Sequence, residues 1–122
     1  MIELILIEDF APLRRVLTQA LRDAEFNVTD FEDGTVSSDA DVMQHADLLI
    51  TDIEMPSVGG RAVLNNIRQS SPNLRTIVIS GLPDDKLEGI EACALLRKPF
   101  EPEELVSTVK RLLAEQATAS AV

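Results

Sequence analysis

The sequence holds a single cysteine, Cys93, and a single histidine, His45. A lone thiol excludes an internal disulfide, and one Cys with one His falls short of the ligands that a zinc site needs. Basic residues are also few. Eleven Lys and Arg stand against 21 Asp and Glu, a formal charge of −10 with a pI near 4.4. With no basic face to displace phosphate counterions, direct nucleic-acid binding is disfavoured, and so is adsorption to an anionic membrane. No apolar run approaches the roughly 20 residues of a membrane span. Met1-Ile2-Glu3 carries no basic region and Glu8-Asp9 interrupts the first apolar stretch, so no signal peptide is expected and the cytoplasm is the default compartment.

What the chain does have is material for a core. It runs to 122 residues and 13.4 kDa, 45% of them apolar, with a mean hydropathy of +0.07. That length fits one domain, and the apolar share is too high for an acidic disordered chain. Residues 1–115 are expected to form the domain, with 116–122 (QATASAV) a frayed tail or the start of a linker.

Strand and helix patterns alternate along it. Glu3 to Ile7 (ELILI) is a short apolar run that stops at Glu8-Asp9, the signature of a buried strand. Leu13, Val16, Leu17, Ala20, Leu21 and Ala24 then recur at helical spacing, with Pro12 in the first turn. Asn27 to Phe31 reads as a weaker strand and Thr35 to His45 as a short helix, His45 being exposed. Asp47 to Asp52 (DLLITD) is another strand ending in a carboxylate, followed by a loop with Pro56 and Gly59-Gly60 and a helix through Ala62, Val63, Leu64 and Ile67. Thr76 to Ile79 is a β-branched strand stopped by Ser80-Gly81, and Pro83 to Glu91 reads as helix with Leu87 and Ile90 inward. Cys93 to Leu96 is a short strand entering Lys98-Pro99, with Cys93 expected in the core. Leu105, Val106, Val109, Leu112 and Leu113 form a final amphipathic helix with Pro102 in its first turn. Five βα units imply an α/β, doubly wound parallel five-stranded sheet covered on both faces.

Ligands of such sheets bind at the carboxyl ends of the strands. Here those ends carry Glu8-Asp9, Asp52, Ser80 and Lys98. Neighbouring strands lie about 4.8 Å apart, so these side chains can converge. Two carboxylates about 4 Å apart repel by roughly 4 kcal/mol at an effective dielectric near 20, so a trio calls for a cation or for raised pKa values. Carboxylates and water suit Mg²⁺. A carboxylate nucleophile, a divalent ion, a hydroxyl and an ammonium are the parts that phosphoryl transfer asks for, and Asp52 on the central strand is the natural nucleophile.

Glu8-Asp9, the stretch Asp52-Ile53-Glu54-Met55-Pro56, Ser80 and Lys98-Pro99-Phe100 together resemble a response-regulator receiver domain of two-component signalling, chemotaxis-regulator-like, over residues 2–114. The resemblance implies a flavodoxin-like receiver fold and a role for each residue. Asp52 would accept a phosphoryl group from a phosphohistidine. Glu8, Asp9 and Asp52, with the backbone carbonyl of Glu54, would hold Mg²⁺, while Ser80 and Lys98 would bind phosphoryl oxygens. A cis peptide between Lys98 and Pro99 is usual in the family. The partners implied are a histidine kinase or histidine phosphotransfer protein upstream and a protein or attached output domain downstream. Such a domain is not a conventional enzyme, although it catalyses its own phosphorylation and dephosphorylation. We place kinase docking on Phe10, Arg14, Arg15 and Thr18 of the first helix, with Pro99 and Phe100 beside them.

Three departures bear on signalling. Leu95 stands where the family commonly has an aromatic switch residue, and no Tyr or Trp exists to replace it. Gly81 replaces a frequent alanine, and Gly59 a usual aspartate. Two other functions fit parts of the pattern. A phosphorylation-independent interaction module would not need the full acidic, hydroxyl and lysine set. A Mg²⁺-dependent phosphatase of the haloacid-dehalogenase type would need an aspartate where Glu54 stands, and a cap domain.

Overall fold

The computed structural model describes residues 1–55 and 58–121, the last six by backbone alone, so Pro56 lies outside the described residues. Five strands, β1 (Glu3–Ile7), β2 (Asn27–Phe31), β3 (Leu48–Asp52), β4 (Arg75–Ser80) and β5 (Ala94–Arg97), form one sheet in the order β2-β1-β3-β4-β5. Every neighbouring pair is parallel, which gives the doubly wound arrangement expected. The helices are α1 (Ala11–Asp23), α2 (Ala40–Gln44), α3 (Gly60–Ser70) and α4 (Pro102–Ala121), with 3₁₀ turns at Gly34–Ser38 and Asp84–Lys86.

Side-chain alternation sorts the strands between two layers. Leu4, Leu6, Leu48, Ile50, Ile77 and Ile79 pack with Leu17 and Leu21 of α1 and Leu105, Val109 and Leu112 of α4. Ile5, Ile7 and Leu49 face Met43 of α2 and Val63 and Ile67 of α3. Buried on both faces, β3 opens on the apolar run Leu48-Leu49-Ile50, and all five of its residues, Thr51 and Asp52 included, are buried. Gly60 lets α3 start against the end of that strand. A Cβ there would lie 2.4 Å from the Asp52 carbonyl oxygen and 2.6 Å from Ile53 Cα.

The fourth crossover departs from expectation. Pro83 to Glu91 is not an α-helix; only the turn Asp84–Lys86 forms, closed by Lys86 N–H to Pro83 O and Leu87 N–H to Asp84 O. Pro83 sets where a helix could begin, and Gly89 at φ 81° stops it too soon to repay nucleation. Leu87 and Ile90 still turn inward, against Ile53, Leu64 and Val78. Arginines tie the segment down: Arg61 donates to the carbonyls of Lys86 (2.7 Å) and Glu88 (3.2 Å), Arg68 pairs with Glu91 at 3.3 Å, and Arg97 pairs with Asp84. Without a helix over that edge, Cys93 is exposed rather than part of the core, and Leu95 keeps 38% of its surface.

Two smaller differences concern helices. Val16, counted among the inward residues of α1, is 51% exposed. Helix α4 carries on through Ala121, over residues expected as a frayed tail or the start of a linker, consistent with the high helix propensity of its alanines; Val122 lies outside the described residues. No helix among the described residues is long and apolar enough to cross a membrane.

Candidate functional site

Three strand ends meet at one edge of the sheet. Asp52, the last residue of β3, is 2% exposed, and its Oδ1 accepts the Glu54 N–H at 3.0 Å as the chain turns away. Glu8 follows β1 and is fully buried; its N–H completes the ladder to Phe31 O of β2, and its Oε2 accepts the Phe10 N–H at 3.1 Å. Asp9 is exposed on the same turn. One carboxylate oxygen from each of Glu8, Asp9 and Asp52 falls within 4.8 Å of the others.

Lys98 reaches in from the far side. Its backbone N–H extends the β4–β5 pairing to Ser80 O at 2.7 Å, and the peptide that follows, Lys98–Pro99, is cis. The ammonium lies 2.7 Å from Asp52 Oδ2 and 2.9 Å from Glu8 Oε1, bridging the two buried carboxylates. Burial works to lower its pKa, but the bonds to Asp52 and Glu8 outweigh that and hold Lys98 above its ordinary value. Glu8 moves the other way from a solvated acid. Desolvation pushes its pKa up to about 7, only partly offset by Lys98 and the Phe10 N–H, and reinforced by Asp52. Crowded carboxylates are thus accommodated by an ammonium and by one acid that resists ionisation. Ser80 is fully buried at the end of β4, one residue past the register partner of Asp52, and its Oγ accepts the Leu82 N–H at 2.9 Å. Its own proton remains available to another acceptor.

The family of the response regulator receiver domain matches residues 4–110. The chain belongs to that family. Among curated relatives, the receiver domain is similar to the DNA-binding transcriptional regulator NtrC of Klebsiella pneumoniae, 33% identical over 112 residues that cover 88% of this chain and 24% of NtrC. It is 31% identical to the response regulator ArlR of Staphylococcus aureus over 120 residues, 95% of this chain and 54% of ArlR. The chain therefore spans about half the length of one relative and a quarter of the other. Among solved structures, the response regulator TrrA of Thermotoga maritima, in complex with Mg²⁺-BeF, superposes with a TM-score of 0.81 at 25% identity, covering 92% of this chain and 99% of TrrA. A CheY-like receiver domain of Methanospirillum hungatei gives 0.85 at 18% identity over 98% of both chains and shows the shared fold.

The receiver domain brings Glu8, Asp9, Asp52 and Lys98 together as the sequence led us to expect, with Ser80 on the adjoining strand and the Glu54 backbone next to Asp52. The residues placed at a docking face divide. Phe10 is 61% exposed, and Arg15 and Pro99 are also exposed. Phe100 is half-buried against the α1–α4 core. Thr18 is a correction: it is 6% exposed, and its hydroxyl has no hydrogen-bond partner among the described residues. Its position one helical turn after Arg14 puts it on the side of α1 that turns toward the sheet rather than on the outer face. Arg14 is also largely buried, donating to Glu8 O at 2.8 Å and pairing with Asp30 of β2 at 3.2 Å. Sequence reasoning missed that pair, which no local spacing announces. Gly60 was legible only as part of a Gly-Gly loop.

Proposed function

We propose that Asp52 accepts a phosphoryl group from a phosphohistidine and that the modified domain signals by altered protein binding. The observation that carries this reading is the Lys98 ammonium held between Asp52 and Glu8 at 2.7 and 2.9 Å, with Asp9 alongside. An Asp52 oxygen forms the new O–P bond as the donor's P–N bond breaks, and the imidazole leaves with that electron pair and takes up a proton. Lys98 transfers its contact from Asp52 to a phosphoryl oxygen, and the Ser80 hydroxyl donates to another. Both contacts act on charge that is absent before transfer, so they bias the loops around Ser80 and Lys98 toward a second state.

The hard oxygen donors of Glu8, Asp9 and Asp52, with the Glu54 carbonyl, fit Mg²⁺, and the Mg²⁺-BeF complex of TrrA supports that choice. Bound there, the ion would offset charge on the phosphoryl oxygens. The chain is then no conventional enzyme, since the group it transfers stays on its own side chain until hydrolysis. A histidine kinase or phosphotransfer protein in the cytoplasm would dock beside exposed Phe10, Arg15 and Pro99. Residues 1–115 would form the receiver, leading to an output domain or a separate target. The test is ³¹P NMR after incubation with Mg²⁺ and phosphoramidate. A hydroxylamine-labile acyl phosphate, lost in Asp52→Asn, is expected; a hydroxylamine-stable phosphate, or one that survives the substitution, would refute the assignment.

A further inference from the structure

Four backbone and side-chain contacts fix the acidic turn between β1 and α1. Glu8 N–H reaches Phe31 O of β2 at 3.0 Å, and Phe10 N–H reaches Glu8 Oε2 at 3.1 Å. Arg14 supplies the other two. Its backbone N–H bonds Phe10 O at 2.9 Å, and its guanidinium donates to the Glu8 carbonyl at 2.8 Å. The guanidinium is in turn held by Asp30 at 3.2 Å, and the arginine side chain is only 17% exposed. It is therefore unavailable for docking, and its fork joins the carbonyl on which the turn pivots to the neighbouring strand.

We propose that Arg14 is a positioning residue for the cation site: anchored on Asp30, it fixes the Glu8 carbonyl and so the direction in which Glu8 and Asp9 present their carboxylates. This rests on the cation-site reading given above. Groups that orient ligating carboxylates from behind contribute strongly to metal affinity, commonly by tenfold or more. The planar guanidinium can bond the carbonyl and Asp30 at once, which a lysine ammonium cannot do in the same geometry.

Charge and position make opposite forecasts. A cationic side chain next to a cation site repels the ion, so removing it should tighten binding if charge were all that mattered. The positioning role requires the reverse. Mg²⁺ affinity is measured by calorimetry for the wild type, Arg14→Lys, Arg14→Met and Asp30→Asn, with amide exchange at Phe10 followed in metal-free protein. Each variant is expected to bind Mg²⁺ about tenfold more weakly and to exchange the Phe10 amide faster, at unchanged far-UV circular dichroism. Wild-type affinity in Arg14→Lys, or tighter binding in Arg14→Met, would overturn the inference. Should the Arg14 variants not fold, unchanged affinity in Asp30→Asn would overturn it equally. A wild-type protein that takes up no Mg²⁺ would remove the cation reading itself, a different result from a wild type that binds and variants that bind alike.

Discussion

Glu8 makes the protein's stability depend on pH in the direction opposite to most carboxylates. Its pKa is about 7 in the folded chain against 4.5 for a solvated glutamate, with desolvation the main cause. Between those values the folded state holds a proton that the unfolded chain has released, so stability falls as pH rises through the window. The gap corresponds to about 3 kcal/mol once Glu8 is fully ionised. Lys98, held above its ordinary value, stays charged throughout and does not reverse the slope. Glu8→Gln keeps the shape and removes the titration, so its stability should be level from pH 5 to 8 while the wild type declines by up to about 3 kcal/mol. Urea denaturation followed by far-UV circular dichroism is the assay, because the chain has no Trp or Tyr to report by fluorescence. At the proposed cation site Mg²⁺ would compete with the proton for this carboxylate, so its affinity should drop about tenfold from pH 8 to 6. Parallel stability profiles for wild type and Glu8→Gln would refute the argument.

Gly60→Ala sets a Cβ 2.4 Å from the Asp52 carbonyl oxygen, a backbone atom that cannot swing aside; a loss of about 2 kcal/mol in urea unfolding is expected, with slower phosphoryl uptake. Gly89 sits at φ 81° in open space, so Gly89→Ala should cost about 1 kcal/mol from backbone strain alone, and Gly89→Asn should recover most of it in the same assay. Phe10→Ala and Arg15→Glu, both on the exposed face beside the site, should slow phosphotransfer from a histidine partner while leaving uptake from a small phosphodonor unchanged; equal slowing with both donors would contradict a docking role.

Strands were the most legible elements. Glu3–Ile7 and Asn27–Phe31 have the bounds that their sequences suggest: the first is an apolar run that stops at Glu8-Asp9, and the second, an edge strand of mixed polarity, is bounded by the turn residues Glu32-Asp33-Gly34. The site residues followed from the same architecture: in such a sheet the polar residues at the carboxyl ends of the strands fall at the ligand-binding edge. The fourth crossover was opaque because Leu87 and Ile90, three residues apart, satisfy a helix and a 3₁₀ turn equally well. Thr18 misled because its hydroxyl reads as a surface group although its helical position faces the sheet, and Arg14 because helical spacing does not reveal when a long side chain folds back onto a neighbouring strand. Which carboxylates Lys98 bridges, and that Asp30 of β2 holds Arg14 of α1, are contacts between separate elements with no local signature.

The most direct test of the account is intact mass after incubation with Mg²⁺ and a small phosphodonor, with Asp52→Asn and an EDTA-treated sample beside the wild type. One added phosphoryl group in the wild type, absent from both controls, is the predicted result. An adduct that persists in Asp52→Asn, or no adduct in a wild type shown by calorimetry to bind Mg²⁺, would contradict Asp52 as the phosphoacceptor.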